Sequence, residues 1–184
     1  ISVAFLQSLE YKDTDPARYV SYKPHPTAKE QYYRLKGPIY GMRSASREWY
    51  DTISGWLESK GYVKQHNEPC LHVNDKGFKI LVYVDDIICK GSKDETERFY
   101  KLLKGRFECK DESVLSPDNK LSFLGFDISC KDYTPDEIVC DNKSVNKKGI
   151  VRVITMDQNI AVDTFLINNK VKPNKSLLSP ITTN

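Results

Sequence analysis

Two adjacent aspartates set inside an apolar run constrain this chain more than any other feature. Tyr83-Val84-Asp85-Asp86 follows Ile80-Leu81-Val82 and precedes Ile87-Ile88-Cys89. An ionised carboxylate taken out of water without a partner is strongly disfavoured, so the pair must meet cations or donors, or be lifted into solvent by a turn. Neighbouring side chains of a regular strand point to opposite faces, so both carboxylates can serve one site only if the chain turns there. A turn at Asp85-Asp86 between two strands is therefore expected. Hard oxygen ligands on such a hairpin suit Mg²⁺, which takes one or two protein carboxylates and completes its shell with water and substrate phosphates. That chemistry points to phosphoryl or nucleotidyl transfer. Taken alone, the dipeptide also reads as a solvent-facing β-turn, because Asp is a favoured turn residue.

The rest of the composition narrows the class. The chain has 184 residues, 39% hydrophobic and 29% charged, which fits neither disorder nor a collagen-like repeat. One globular domain is the default, with room for a second small unit at one end. Lys and Arg number 28 against 25 Asp and Glu, and a net charge of +3 does not by itself mark a nucleic-acid binder. Five cysteines without a C-x-x-C pair read as reduced thiols of an intracellular chain. The longest apolar stretch, Ile80 to Ile88, is too short and too acidic to span a bilayer, and no secretory leader is visible. The opening segment Ile1-Ser2-Val3-Ala4-Phe5-Leu6 looks like the middle of a strand, so the chain is expected to be a fragment.

Periodicity places the elements. Glu10 to Gln31 is expected to be extended and loop-rich, with Pro24 and Pro26 blocking regular ladders. A helix follows, capped by Ser44 or Ser46, with Ala45, Trp49, Ile53, Trp56 and Leu57 on its apolar face and Lys60-Gly61 at its end. Cys70 to Val73 and Phe78 to Val84 are expected to pair as a hairpin around Asn74-Asp75-Lys76-Gly77. Ser92 and Glu95 have capping-box spacing before a second helix that presents Phe99, Leu102, Leu103 and Phe107. Leu121 to Ile128 reads as one strand, Lys131 to Lys148 as loop or linker, Ile150 to Ile154 as a strand, and a short helix is expected between Asp157 and Lys170. The fold class is α+β, with helices over one face of a largely antiparallel sheet. His66, Cys70 and His72 have metal-like spacing but no fourth ligand, so zinc is not expected.

Tyr83-Val84-Asp85-Asp86 has the form of the reverse-transcriptase active-site box, and its surroundings resemble the copia-type LTR retrotransposon polymerases. Leu35 to Tyr50 resembles that family's L-K-x-x-L-Y-G-L-K-Q-x-x-R-x-W-Y segment, with Ser44 and Ser46 standing where the family usually has Gln and Pro. Phe107-Glu108-Cys109-Lys110-Asp111 and Phe123-Leu124-Gly125 resemble the F-x-M-K-D and F-L-G blocks, and Ile154 to Gln158 and Ser179-Pro180 the weaker late blocks. Val3-Ala4-Phe5-Leu6 is similar to the end of the first catalytic motif, whose metal-binding aspartate would stand just before Ile1.

The resemblance implies a polymerase palm with part of the fingers over residues 1–130, and a linker with the start of the thumb or connection over 131–184. It implies RNA-directed DNA synthesis, in which Asp85 and Asp86 bind Mg²⁺ and two ions activate the primer 3′-hydroxyl and stabilise the leaving pyrophosphate. Val3 and Ala4 would offer backbone N–H groups to the triphosphate, and Phe5 would exclude the 2′-hydroxyl, unless Phe5 is simply a core residue. Tyr40, Gly41, Tyr83 and Val84 would line the nucleotide. Arg43 and Arg47 would meet phosphate or remain solvated, and Phe123, Leu124 and Gly125 would lie along the primer. Partners would be an RNA or DNA template-primer, deoxynucleotides, and the RNase H and integrase segments of a Pol polyprotein, in a cytoplasmic particle or the nucleus. Two rival readings are a retroelement fragment that keeps its fold or nucleic-acid affinity without catalysis, and a different palm-type enzyme such as a cyclase.

Overall fold

The computed structural model describes residues 1–138, 145, 146 and 148–168, and the Ser179-Pro180 block lies outside the described residues. The chain divides into two compact units, Ile1–Glu112 and Ser113–Asn184. The Phe123-Leu124-Gly125 block stands in the second unit.

The first unit opens on a 3-10 turn, Ala4–Gln7, and not on the expected strand. Gln7 causes the difference. Its side-chain amide bonds the Ser2 carbonyl and the Glu108 carbonyl and accepts from Glu108 N, curling the chain around itself. Strand β1 (Tyr19–Tyr22) lies inside the segment expected to be loop-rich and pairs antiparallel with β2 (Gln31–Arg34), which starts at that segment's last residue. Pro24 and Pro26 fall in the connection between them, where no ladder donor is required.

Helix α1 (Ala45–Ser59) buries Ala45, Trp49, Ile53 and Leu57, as its spacing requires. Ser44 takes the N-cap position, although its side chain makes no capping bond. A four-stranded antiparallel sheet follows in sequence order: β3 (Val63–Lys64), β4 (Leu71–Val73), β5 (Lys79–Tyr83) and β6 (Asp86–Lys90). Helix α2 (Lys93–Lys104) starts at Ser92, whose hydroxyl accepts from Glu95 N at 3.3 Å. The Glu95 carboxylate does not return to the cap. It binds Asn74 at 3.0 Å and Lys76 at 2.8 Å, tying α2 to the β4–β5 turn.

One cluster forms the core of this unit: Trp49, Ile53 and Leu57 of α1, Ile80 and Val82 of β5, Phe99 and Leu103 of α2, with Ala4, Tyr62, Phe78 and Phe107. Both helices thus pack on the sheet face that carries Ile80 and Val82. Burying these side chains stabilises the unit by roughly 1.5–3 kcal/mol each.

The second unit contains β7 (Leu121–Phe123), β8 (Phe126–Tyr133) and β9 (Val151–Asp157), antiparallel in that order, followed by α3 (Asn159–Asn168). The stretch from Leu121 to Ile128 is not one strand. It turns at Leu124-Gly125, where φ is +54° and +77°, so Phe123 pairs with Phe126. The expected loop from Lys131 begins instead as β8, locked by Asp132, which accepts from Arg152 of β9 at 2.6 and 2.7 Å, and a 3-10 turn follows at Pro135–Glu137. The molecule is thus mixed α and β, with antiparallel sheets and three α-helices among the described residues. No described helix is long and apolar enough to cross a membrane.

Candidate active site

Strand β5 alternates as a half-buried strand should. Ile80 and Val82 are buried on the helix side, while Lys79 and Tyr83 are exposed on the other. Tyr83 pairs with Asp86 across the ladder, so the two-residue turn is Val84-Asp85, one position earlier than the expected Asp85-Asp86. Asp86 is the first residue of β6 and shares the outer sheet face with Tyr83, Leu81 and Ile88.

Val84 adopts φ +50°, a conformation that a β-branched residue enters only when its surroundings hold it there. Two contacts grip the turn. The indole N–H of Trp49, a side chain only 1% exposed, donates to the Val84 carbonyl at 2.6 Å. The nitrogen of Ile1 donates to the Asp85 carbonyl at 2.5 Å. Trp49 is fixed in turn by an edge contact with Phe107, ring centroids 5.3 Å apart.

The Asp85 and Asp86 side chains are exposed and bond to no other described residue. Among the described residues no group of three or more His, Cys, Asp or Glu converges as a metal cage. Two free carboxylates at a held turn fit a cation such as Mg²⁺, which draws its remaining ligands from water and phosphates, better than they fit a four-ligand protein site. His72 faces elsewhere: it is fully buried, with Nε2 3.0 Å from the Ser54 hydroxyl.

A second group of sequence-predicted residues converges beside this turn. Val3 holds φ +41° ahead of the 3-10 turn, Ala4 is fully buried, and the half-buried Phe5 ring lies 4.6 Å from the ring of Tyr40. Tyr40 and Gly41 are the central residues of a turn closed by Met42 N donating to the Ile39 carbonyl at 3.3 Å, with Gly41 at φ +92°. That φ is why glycine stands there. The Ile1–Asp85 bond connects the first strip of chain directly to the aspartate turn.

The cations divide. Arg43 is exposed and has no carboxylate partner among the described residues, whereas Arg47 is held by Asp51 at 2.9 and 3.0 Å. Glu48 receives Arg18 at 2.7 Å. Burial pushes its carboxyl up, but bonds from Arg18, Ser44 and Tyr11 outweigh this and hold it below its ordinary value. Phe123, Leu124 and Gly125 form the β7–β8 turn of the second unit, with Phe123 buried and Leu124 exposed.

Sequence reasoning assigned Trp49 to packing alone. The signal available was that a buried indole N–H needs an acceptor.

A family profile described as reverse transcriptase (RNA-dependent DNA polymerase) matches residues 2–164. The chain belongs to the reverse transcriptase family. Among curated relatives, the truncated transposon Ty1-A Gag-Pol polyprotein of Saccharomyces cerevisiae is 29% identical over 133 residues, covering 70% of this chain and 11% of the relative. The transposon Ty1-DR5 and Ty1-ER1 Gag-Pol polyproteins of the same yeast share 29% identity over 70% of this chain and 7% of their own length. The chain thus spans about a tenth or less of the curated relatives it matches. No solved structure matches it. Both the Val84-Asp85 turn and the Tyr40-Gly41 turn lie within the reverse transcriptase match, and the resemblance to copia-type retrotransposon polymerases is upheld.

Proposed function

We propose that this reverse transcriptase segment forms the palm and part of the fingers of a retrotransposon Pol polymerase that adds deoxynucleotides to a primer 3′-hydroxyl on an RNA or DNA template. The observation that carries the reading is the held turn bearing two exposed carboxylates that engage no described side chain. Asp85 and Asp86 are the ligands for Mg²⁺. When bound there, Mg²⁺ supplies positive charge against the triphosphate and favours ionisation of the primer hydroxyl. Ile1 N bonds to the Asp85 carbonyl, so the first strip of chain that carries Val3, Ala4 and Phe5 reaches the turn.

Phe5, braced by the Tyr40 ring, presents an apolar surface to the sugar and leaves no room for a 2′-hydroxyl. Val3 and Ala4 orient the triphosphate through backbone N–H groups, and the Tyr40-Gly41 turn, Tyr83 and Val84 border the base. Arg43, free of carboxylates, contacts phosphate. Arg47 does so only after giving up Asp51. Phe123, Leu124 and Gly125 serve the primer strand, and residues 131–184 lead towards a thumb or connection. RNase H and integrase segments accompany it in the parent polyprotein, in a cytoplasmic particle or the nucleus.

The test is primer extension on a poly-rA template with the chain placed within a full-length Gag-Pol polyprotein of the kind it matches. Asp85→Asn abolishes Mg²⁺-dependent extension while circular dichroism and thermal midpoint stay unchanged, because the carboxylate makes no structural bond. Retained extension overturns the metal role.

A further inference from the structure

Strands β1 and β2 hold four tyrosines, and all of them stand out in water: Tyr19 is 63% exposed, Tyr22 56%, Tyr32 68% and Tyr33 50%. Single exposed aromatics need no explanation, but four on one short ribbon, two to each face, call for one. None of the four rings packs on another aromatic ring or lies under a cation; the ring pairs of the described residues belong to the core and to Phe5–Tyr40. The Tyr32 and Tyr33 hydroxyls bond only to the near side chains of Glu30 and Gln31.

The register sorts them. Tyr19 pairs with Arg34 and Ser21 with Tyr32, so these four residues share one face, and all four are exposed. Tyr19 and Tyr32 are diagonal neighbours, roughly 7–8 Å apart at the backbone. That is about twice the ~3.4 Å spacing of stacked bases, so an unpaired base fits between the two rings.

Charge completes the pattern. Residues 16–36 carry Arg18, Lys23, Lys29, Arg34 and Lys36 against the single carboxylate Glu30; five less one is +4, more than the +3 of the whole chain. Arg18 is taken by Glu48 and Arg34 is approached by Asp13 at 3.8 Å, but Lys23, Lys29 and Lys36 have no carboxylate partner among the described residues. The centre of a protein–protein interface is depleted of charge. Here cations alternate with rings, which is the composition of a surface that stacks bases and neutralises phosphates.

We infer that the β1–β2 hairpin is a stacking surface for single-stranded nucleic acid, with Tyr19 and Tyr32 holding unpaired bases and Arg34 and the free lysines contacting phosphates. A duplex does not satisfy it, because paired bases hide their faces from the rings. Identifying that strand as the unpaired template ahead of the site rests on the polymerase reading, in which β2 leads through Leu35–Ile39 to the Tyr40-Gly41 turn. The binding itself rests on the hairpin alone.

The test is fluorescence anisotropy of the 184-residue chain with a labelled oligo-dT 20-mer in EDTA, where no synthesis can occur. Tyr19→Ala/Tyr32→Ala weakens binding by about tenfold or more at unchanged circular dichroism, and Tyr19→Phe/Tyr32→Phe retains it. The salt dependence is unchanged in these tyrosine variants. Lys23→Gln/Arg34→Gln instead flattens the slope of log K against log salt by about 1.4, at roughly 0.7 per cation removed. No binding by the unsubstituted chain, equal binding by the alanine variant, or a tyrosine-dependent dimer in sedimentation each overturns the inference. Because the readout needs neither metal nor extension, those results leave the role of Asp85 standing, and retained extension by Asp85→Asn leaves the hairpin standing.

Discussion

The indole N–H of Trp49 donates to the backbone carbonyl of Val84 at 2.6 Å, which fixes helix α1 to the turn that carries the aspartates. Val84 sits at φ +50°, so the bond holds a conformation the residue would otherwise leave. Trp49→Phe keeps an aromatic ring against Phe107 and removes the donor, at a cost of about 1–3 kcal/mol for the carbonyl left without a partner. The expected outcome in primer extension is a higher Mg²⁺ concentration for half-activation, at temperatures where circular dichroism shows the variant folded. An unchanged Mg²⁺ requirement would show that the bond is structural only.

Phe5 and Tyr40 lie ring to ring at 4.6 Å. Phe5→Ala opens the space in which the 2′-hydroxyl would clash, and it raises ribonucleotide incorporation relative to deoxynucleotide. Tyr40→Ala shifts the same ratio in the same direction by removing the support. Competition between rNTP and dNTP in single-nucleotide addition measures it, and an unaltered ratio in Phe5→Ala removes the gate assignment.

Gly91 joins β6 to α2 with the Phe78 ring directly against it: a Cβ there would meet Phe78 Cδ2 at 2.2 Å. Phe78 is buried between Tyr62 and Phe99, with ring centroids 6.2 and 5.7 Å away, and cannot retreat freely. Gly91→Ala therefore destabilises the first unit by about 1–3 kcal/mol through overpacking, read as a lower urea midpoint. Phe78→Leu in the Gly91→Ala background recovers part of the loss, since the two changes share one contact.

Burial lowers the His72 imidazole pKa from its ordinary value, and the Cys70 backbone offsets this only in part. The unfolded chain takes up the proton near pH 6.5 and the folded chain only at lower pH. This contribution to stability is thus complete above about pH 6.5 and is lost as pH falls through the folded value. Urea midpoints measured from pH 8 down to pH 5.5 fall more steeply for the unsubstituted chain than for His72→Asn. Parallel curves would refute the assignment.

Leu124 occupies the first position of the β7–β8 turn at φ +54°, ahead of Gly125 at φ +77°. Asn tolerates that region far better than Leu. Leu124→Asn raises the stability of the second unit by about 0.5–2 kcal/mol, measured by denaturation of the unit's hydrogen-exchange-protected amides. If the same variant weakens template-primer binding, Leu124 contacts the primer; unchanged binding removes it from that surface.

Much of the local structure was readable in advance because its cause is local. The four-residue spacing of Ala45, Trp49, Ile53 and Leu57 specifies α1, Ser92 followed by Glu95 specifies the start of α2, and the alternation around Ile80 and Val82 specifies β5. Readings failed where a distant group intervened. Ile1 to Leu6 has strand composition, but Gln7 and Glu108, 101 residues apart, curl it into a 3-10 turn. Glu95 has capping-box spacing, but Asn74 and Lys76 take its carboxylate. The proline-rich stretch hides a hairpin because pattern alone does not tell whether a proline sits in a ladder or between its strands.

The sequence by itself determined that two carboxylates emerge from an apolar hairpin, since charge cannot remain in that run without a turn or a partner, and its ordered blocks determined the family. Tertiary structure decided which residues form the turn. Moving it from Asp85-Asp86 to Val84-Asp85 leaves Asp85 in the loop and puts Asp86 on the outer sheet face. Both registers keep Ile87 and Cys89 on the face of Ile80 and Val82, so strand alternation does not choose between them and tertiary contacts do. Tertiary structure also decided that Trp49 and Ile1 hold that turn. A buried donor's need for an acceptor is written in its residue type. Which carbonyl meets the need depends on distance across the folded chain.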